Sequence, residues 1–109
     1  MHTRRLGYSD LQLTTVGLGT AAIGGGAAYG WNADEAEAIA AIHRALDLGV
    51  NWLDTAPIYG YGRAEEVVRR ALVGRRERVI IATKCGIRWE SPSGTPTHSL
   101  RAASVRQEV

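Results

Sequence analysis

Three side chains that can hold or transfer a proton, Asp54, Tyr59 and Lys84, follow the ends of two short apolar runs. The runs over residues 50–53 and 79–83 predict buried strands, and a helical pattern between them makes those strands parallel neighbours. Since adjacent strands lie about 4.8 Å apart, we expect Asp54 and Lys84 to meet at one sheet edge. A carboxylate, a phenol and an ammonium at such an edge could deliver a proton to a substrate.

The same three residues also have a purely structural interpretation. Asp54 and Lys84 could form an ordinary ion pair, and Tyr59 could be a loop aromatic. For three such residues considered without their flanking segments, the structural interpretation is favoured. The flanking segments must therefore decide between a structural role and proton transfer.

The elements that must position these residues alternate along the chain. In order, the pattern predicts a hairpin with strands over 4–7 and 11–14, a strand over 15–20, a loose glycine-rich loop over 24–30, a helix that begins at Asp34 and ends at Gly49, a strand over 50–54, a helix over 64–73, a strand over 79–84, a polar loop over 85–99, and a helix from Arg101. This alternation predicts an α/β fold with a parallel sheet, either doubly wound or a barrel.

Length and composition predict one small globular domain over residues 1–109. The chain has 109 residues, 45% of them hydrophobic, and a formal net charge of +2. Its arginine cluster follows a predicted helix end without interleaved aromatic residues, which favours a solvated surface over a nucleic-acid site; the cluster consists of Arg69, Arg70, Arg75, Arg76 and Arg78. Neither nucleic acid nor a membrane is expected as a partner.

The compartment follows from cysteine usage and from the N-terminus. Cys85 is the only cysteine, so no internal disulfide can form and a reducing compartment is expected. Residues 1–7 lack the apolar segment of a signal peptide, and no run reaches the roughly 20 apolar residues of a membrane-spanning helix. We therefore expect a soluble, cytoplasmic protein.

Residues 17–22 match G-x-G-x-x-A, a form of the dinucleotide-binding fingerprint. That fingerprint must open directly into a helix and be followed by an acidic residue about 20 positions on. Here further glycines follow instead, and Asp54 lies 35 residues beyond Gly19. Glycines that allow close packing of the first strand are the favoured interpretation, and a Rossmann-like half-domain is the less favoured alternative.

Four segments carry a family resemblance: residues 17–20 (GLGT), 49–60 (GVNWLDTAPIYG), 65–66 (EE) and 82–84 (ATK). Together they resemble the N-terminal part of the aldo-keto reductases, and the resemblance covers essentially the whole chain. It implies a (β/α)₈ TIM barrel whose bottom is closed by an N-terminal hairpin. It also implies hydride transfer between NADP(H), less often NAD(H), and a small carbonyl or alcohol substrate, without a metal.

The resemblance also implies roles for individual residues. Tyr59 matches the general acid that protonates the carbonyl oxygen, and Lys84 would favour its phenolate. Asp54 would hold Lys84 by a charge-assisted hydrogen bond and is a candidate contact of the nicotinamide ribose. Gly19 and Thr20 match positions at the nicotinamide end of the cofactor pocket. Substrate identity and the preference between NADP and NAD are not indicated.

The sequence departs from the family in its extent. The family has a fourth catalytic residue, a histidine on the fourth strand, which His2, His43 and His98 do not replace. A full barrel needs about 250 residues, so we expect an N-terminal portion with three βα units and an incomplete third helix. We expect such a chain alone to be unstable and inactive, or dependent on self-association or on a complementing C-terminal barrel portion. The alternative is a non-catalytic relic or interaction module.

Overall fold

A computed structural model describes residues 1–25, 34–91 and 93–109. Its elements are β1 (Thr3–Arg5), β2 (Gln12–Thr14), β3 (Leu18–Gly19), α1 (Glu35–Asp47), β4 (Trp52–Asp54), α2 (Arg63–Ala71), a 3₁₀ turn (Arg76–Arg78), β5 (Ile80–Ala82), β6 (Ile87–Arg88), β7 (Thr97–His98) and α3 (Ala102–Glu108). The predicted glycine-rich loop lies outside the described residues beyond Gly25. Within the described part of the chain, no helix is long and apolar enough to cross a membrane.

The central sheet has three parallel strands in the order β3-β4-β5. Their register places Asp54 opposite Gly19 on one side and opposite Ala82 on the other. The parallel sheet and the leading antiparallel hairpin β1–β2 confirm the predicted topology. Because all three strands run the same way in level register, their carboxyl ends form one edge, and the residues that follow them lie together there.

Helices α1 and α2 cover one face of the sheet. Ile42 of α1, Leu53 of β4 and Val67 of α2 are almost completely buried and form the centre of the core. Burying a side chain of this size contributes about 1.5–3 kcal/mol, so the contact between the two helices and β4 is a main source of stability. The apolar spacing in both helices is what the 3.6-residue period requires.

Local signals set the ends of α1. The Asp34 carboxylate accepts hydrogen bonds from the amides of Ala36 (2.7 Å) and Glu37 (3.2 Å), which confirms the predicted N-terminal cap. At the other end, Gly49 adopts a left-handed φ of 93° and turns the chain toward β4.

The hairpin β1–β2 is bound to β4 by two side chains. Asn51 Oδ1 accepts from the amide of Thr14 (2.9 Å), and Asn51 Nδ2 donates to the carbonyl of Gln12 (2.8 Å). The indole of Trp52 donates to the Thr14 carbonyl (3.0 Å). These bonds fix the end of the sheet opposite to the edge that carries Asp54.

The predicted polar loop over 85–99 is wrong in one respect, because it contains the antiparallel pair β6–β7. Ile87 pairs with His98, and the turn out of the sheet uses Gly86, whose φ is 100°. Each strand is two residues long, so neither offers the alternation by which a strand is recognised in a sequence. The pair returns the chain to the carboxyl edge of the sheet.

Gly17 lies against the ring of Trp52. A Cβ at Gly17 would stand 2.6 Å from Trp52 Cδ2, whereas a Cβ at Gly19 would meet no heavy atom within 4 Å. We expect Gly17→Ala to destabilise the chain by about 1–3 kcal/mol because the indole has to move, and Gly19→Ala to cost much less. Urea unfolding of the two variants tests this, and equal losses would show that the ring contact does not matter.

Candidate active site

The ammonium of Lys84 is held at the carboxyl end of β4. Its Nζ donates to Asp54 Oδ1 (2.7 Å) and to the backbone carbonyl of Thr55 (2.9 Å). The contact between Asp54 and Lys84 that the sequence predicted is therefore present. The second acceptor was not predicted, because a backbone carbonyl has no signature in the residue types. Thr55 itself is fixed by its amide, which donates to the Ala82 carbonyl (2.8 Å).

Tyr59 lies in the loop between β4 and α2. The Lys84 Nζ stands 5.0 Å from the centroid of the Tyr59 ring, within the range of a cation–π contact. The loop is closed by hydrogen bonds from the Tyr59 amide to the Ala56 carbonyl (3.1 Å) and from the Ala64 amide to the Tyr59 carbonyl (3.1 Å). The structure thus brings together the carboxylate, the ammonium and the phenol.

The surroundings of Lys84 favour its charged form. Partial burial lowers the pKa of Lys84, but the Asp54 carboxylate and the Tyr59 phenol outweigh that effect and raise the pKa above its usual 10.5. The Lys84 side chain is 47% exposed and that of Asp54 37%. Solvent therefore screens the pair, and its contribution to stability is about 1 kcal/mol or less. The ion pair is significant because it holds the positive charge of Lys84 beside Tyr59.

Gly19 and Thr20, the two predicted cofactor residues, differ in their surroundings. Thr20 is completely buried, and both its amide (2.9 Å) and its hydroxyl (3.1 Å) donate to the Asp54 carbonyl. Gly19 is exposed beside Asp54, with open space where a Cβ would be. The role of both residues toward a cofactor stays a prediction. Thr20 fixes the backbone of Asp54, and the space beside Gly19 is open.

An open cavity of about 270 Å³ adjoins the trio. Most of its lining is apolar and comes from the loop after β4 and from the residues after β5: Ala56, Pro57, Ile58, Tyr59, Lys84, Cys85 and Ile87. Cys85 and Ile87 were not predicted as site residues. The sequence signal that could have identified them is their position directly after Lys84. A cavity of this size accommodates a small molecule beside the Tyr59 and Lys84 side chains.

Two alternatives from the sequence can be compared with the structure. Residues 21–24 form turns and α1 begins only at Glu35, so the fingerprint over 17–22 does not open directly into a helix. This removes the geometry that a Rossmann-like site requires. In the predicted basic cluster, Arg69 and Arg70 pair with Glu66, and Arg75 pairs with Asp47, which agrees with a solvated helix end.

The chain matches known proteins over nearly its whole length. Residues 15–108 match the model of the aldo/keto reductase family. A relative from Escherichia coli (strain K12), named "NADH-specific methylglyoxal reductase", is 46% identical over 86 residues, which are 78% of this chain and 26% of the relative. A relative from Bacillus subtilis (strain 168), "Uncharacterized oxidoreductase YqkF", is 41% identical over 93 residues, 85% of this chain and 28% of the relative.

A solved structure agrees with the fold. The aldo-keto reductase AKR11C1 from Bacillus halodurans, in its holo form, superposes with a TM-score of 0.87 at 34% identity and covers 99% of this chain and 34% of its own. This confirms the predicted fold class, the N-terminal part of a (β/α)₈ TIM barrel. The chain spans about a quarter of the curated relatives it matches. By its sequence and its fold, this chain belongs to the aldo/keto reductase family.

Proposed function

We propose that this chain carries the proton-transfer residues of an oxidoreductase that moves hydride between NADP(H) or NAD(H) and a small carbonyl or alcohol. The observation that supports this most directly is the position of Lys84, bonded to Asp54 and to the Thr55 carbonyl and lying over the Tyr59 ring. A structural ion pair would need no phenol beside it and no adjoining cavity.

In this mechanism Tyr59 is the general acid. When a carbonyl is reduced, its oxygen gains negative charge, and the Tyr59 hydroxyl donates a proton to that oxygen. The phenolate left behind is stabilised by the Lys84 ammonium, which Asp54 holds in place. For alcohol oxidation the same groups work in reverse, with the phenolate accepting the hydroxyl proton.

The residues present are compatible with a nicotinamide cofactor. The open space beside Gly19 adjoins Asp54, so Gly19 and Asp54 would contact the nicotinamide end, and buried Thr20 would support it by holding the Asp54 backbone. When bound, the nicotinamide supplies or accepts the hydride. The name of the Escherichia coli relative specifies NADH, so both NADH and NADPH belong in the first binding experiments, and methylglyoxal is a reasonable first substrate.

A second candidate function, an interaction module, is favoured by one other surface. A groove of about 340 Å³ runs between α2 and the edge strand β5, lined by Val68, Leu72 and Ile81. The Thr55 hydroxyl is buried at this groove and has no hydrogen-bond partner among the described residues. We propose that the covering partner is a set of further βα units of an aldo-keto reductase barrel. Sedimentation of this chain with the remaining portion of the Bacillus halodurans reductase tests for such a complex.

The three-stranded sheet does not enclose its site, since β3 and β5 each have an unpaired edge among the described residues. We therefore expect the 109-residue chain alone to reduce carbonyls weakly or not at all. A chimera in which this chain replaces the matching third of the Bacillus halodurans reductase provides the enclosing elements.

In that chimera we expect Tyr59→Phe to lower kcat by about 100-fold or more, because the general acid is lost while the ring is kept. Tyr61→Phe removes a hydroxyl from the same loop and is the matched control, for which we expect little change. NADH- and NADPH-dependent reduction of methylglyoxal measures both. Tyr59→Phe activity equal to that of the parent chimera would refute the proposed role.

The stability that Lys84 contributes should depend on pH with a defined sign. Because its pKa is raised above 10.5 in the folded chain, its contribution is fully present below pH 10.5 and is lost as the pH rises through the folded pKa. We expect the unfolding free energy of the wild type, relative to Lys84→Met, to stay constant from pH 8 to about pH 10 and then to fall toward pH 11.5, by at most about 1 kcal/mol.

Lys84→Arg is the matched control, because arginine stays charged across this range. Its unfolding free energy relative to Lys84→Met should not fall in the same way. A wild-type advantage that is constant up to pH 11.5 would contradict the raised pKa of Lys84. Urea unfolding monitored by circular dichroism measures all three chains.

A further inference from the structure

Gly24, in the turn after β3, lies directly against the backbone of the residue proposed as the general acid. Gly24 is buried, and a Cβ there would stand 2.5 Å from the carbonyl carbon of Tyr59, 2.6 Å from its oxygen and 2.8 Å from the amide nitrogen of Gly60. All three are backbone atoms, so they cannot move aside by rotating a side chain. Any side chain at Gly24 would push the Tyr59 loop away.

The same turn is attached to Asp54 at its other end. Thr20 donates twice to the Asp54 carbonyl, and the Thr20 carbonyl in turn accepts from the amides of Ile23 (3.0 Å) and Gly24 (3.3 Å). Residues 20–24 therefore form a short hydrogen-bonded bridge. The bridge is bonded to Asp54 at Thr20 and lies against the Tyr59 backbone at Gly24.

The close contact between Gly24 and Gly60 leaves no room for a side chain on either residue. Gly60 has a left-handed φ of 64°, and a Cβ at Gly60 would overlap the Gly24 carbonyl. Tyr59 is thus held between two fixed supports, the turn at Gly24 on one side and the start of α2, through the Ala64 amide, on the other. Neither support uses the Tyr59 side chain, which remains beside Lys84.

We propose that residues 20–24 are a positioning element of the site, in which Gly24 sets where Tyr59 stands relative to Lys84 and Asp54. This inference rests on the proposed function, since it gives Gly24 a role in the geometry of the acid and its ammonium. Gly24 is a positioning residue and not a catalytic one. The hydride-transfer site is then assembled from three segments of the chain, the turn after β3, the loop after β4 and the end of β5.

The experiment uses the fact that Lys84 is the only lysine of the chain, so its side-chain resonances can be assigned without ambiguity. We would titrate the Lys84 Cε signal by NMR in the 109-residue chain, with and without Gly24→Ala. Because Tyr59 is one of the groups that raise the pKa of Lys84, displacing Tyr59 should move the Lys84 midpoint to lower pH.

Gly74→Ala is the matched control. Gly74 has a left-handed φ of 71°, and a Cβ there would meet no heavy atom within 4 Å. The control therefore costs stability through backbone strain without displacing Tyr59. We expect it to leave the Lys84 midpoint unchanged, which separates positioning from general destabilisation.

A second comparison tests whether Gly24 acts through Tyr59. In a Tyr59→Ala background, which lacks both the hydroxyl and the ring, Gly24→Ala should cause no further shift of the Lys84 midpoint, because the group it displaces is already absent. An unchanged midpoint in folded Gly24→Ala, or a shift of equal size in the Tyr59→Ala background, would overturn the proposal.

If Gly24→Ala does not fold, the wild-type chain still decides the question. A nuclear Overhauser contact between the Gly24 α-protons and the Gly60 amide is expected, and its absence would overturn the proposal. None of these readouts needs hydride transfer. A chimera that shows no reductase activity while Lys84 responds to Gly24→Ala would refute the proposed function and leave the positioning role intact.

Discussion

The site depends on the hydrogen-bond ladder at the carboxyl end of β4. The Asp54 carbonyl accepts from Thr20 on one side, and the Thr55 amide donates to Ala82 on the other. These bonds hold three strand ends at one level, so the Asp54 carboxylate and the Lys84 ammonium meet without any adjustment of the backbone. A shift of one residue in either pairing would turn these side chains to the opposite face of the sheet.

The sequence was sufficient for those parts of the fold that depend on side-chain pattern. The period of the apolar residues located α1 and α2, the Asp34 cap and Gly49 marked the ends of α1, and polar residues after short apolar runs marked the strand ends. The roles of Asp54, Tyr59 and Lys84 came from the family resemblance, because residue types alone are equally compatible with a structural ion pair.

The remaining features depend on backbone atoms and left no comparable signal. The Thr55 carbonyl that binds Lys84, the approach of Gly24 to Tyr59 and the pairing of β6 with β7 all involve main-chain groups. Gly24 and Gly60 were visible in the sequence, but a glycine in a sequence does not show which residue packs closely against it in the fold. The two-residue strands β6 and β7 are likewise too short to show an alternating pattern of apolar and polar residues.

The raised pKa of Lys84 also affects the chemical reactivity of the chain. An amine attacks electrophiles through its lone pair, and the Asp54 and Tyr59 contacts that keep Lys84 protonated withhold that lone pair. The half-exposed side chain of the only lysine is therefore accessible yet a poor nucleophile at neutral pH. We expect acylating reagents to react slowly with Lys84 at neutral pH, so an amine-directed label will leave this edge of the sheet free.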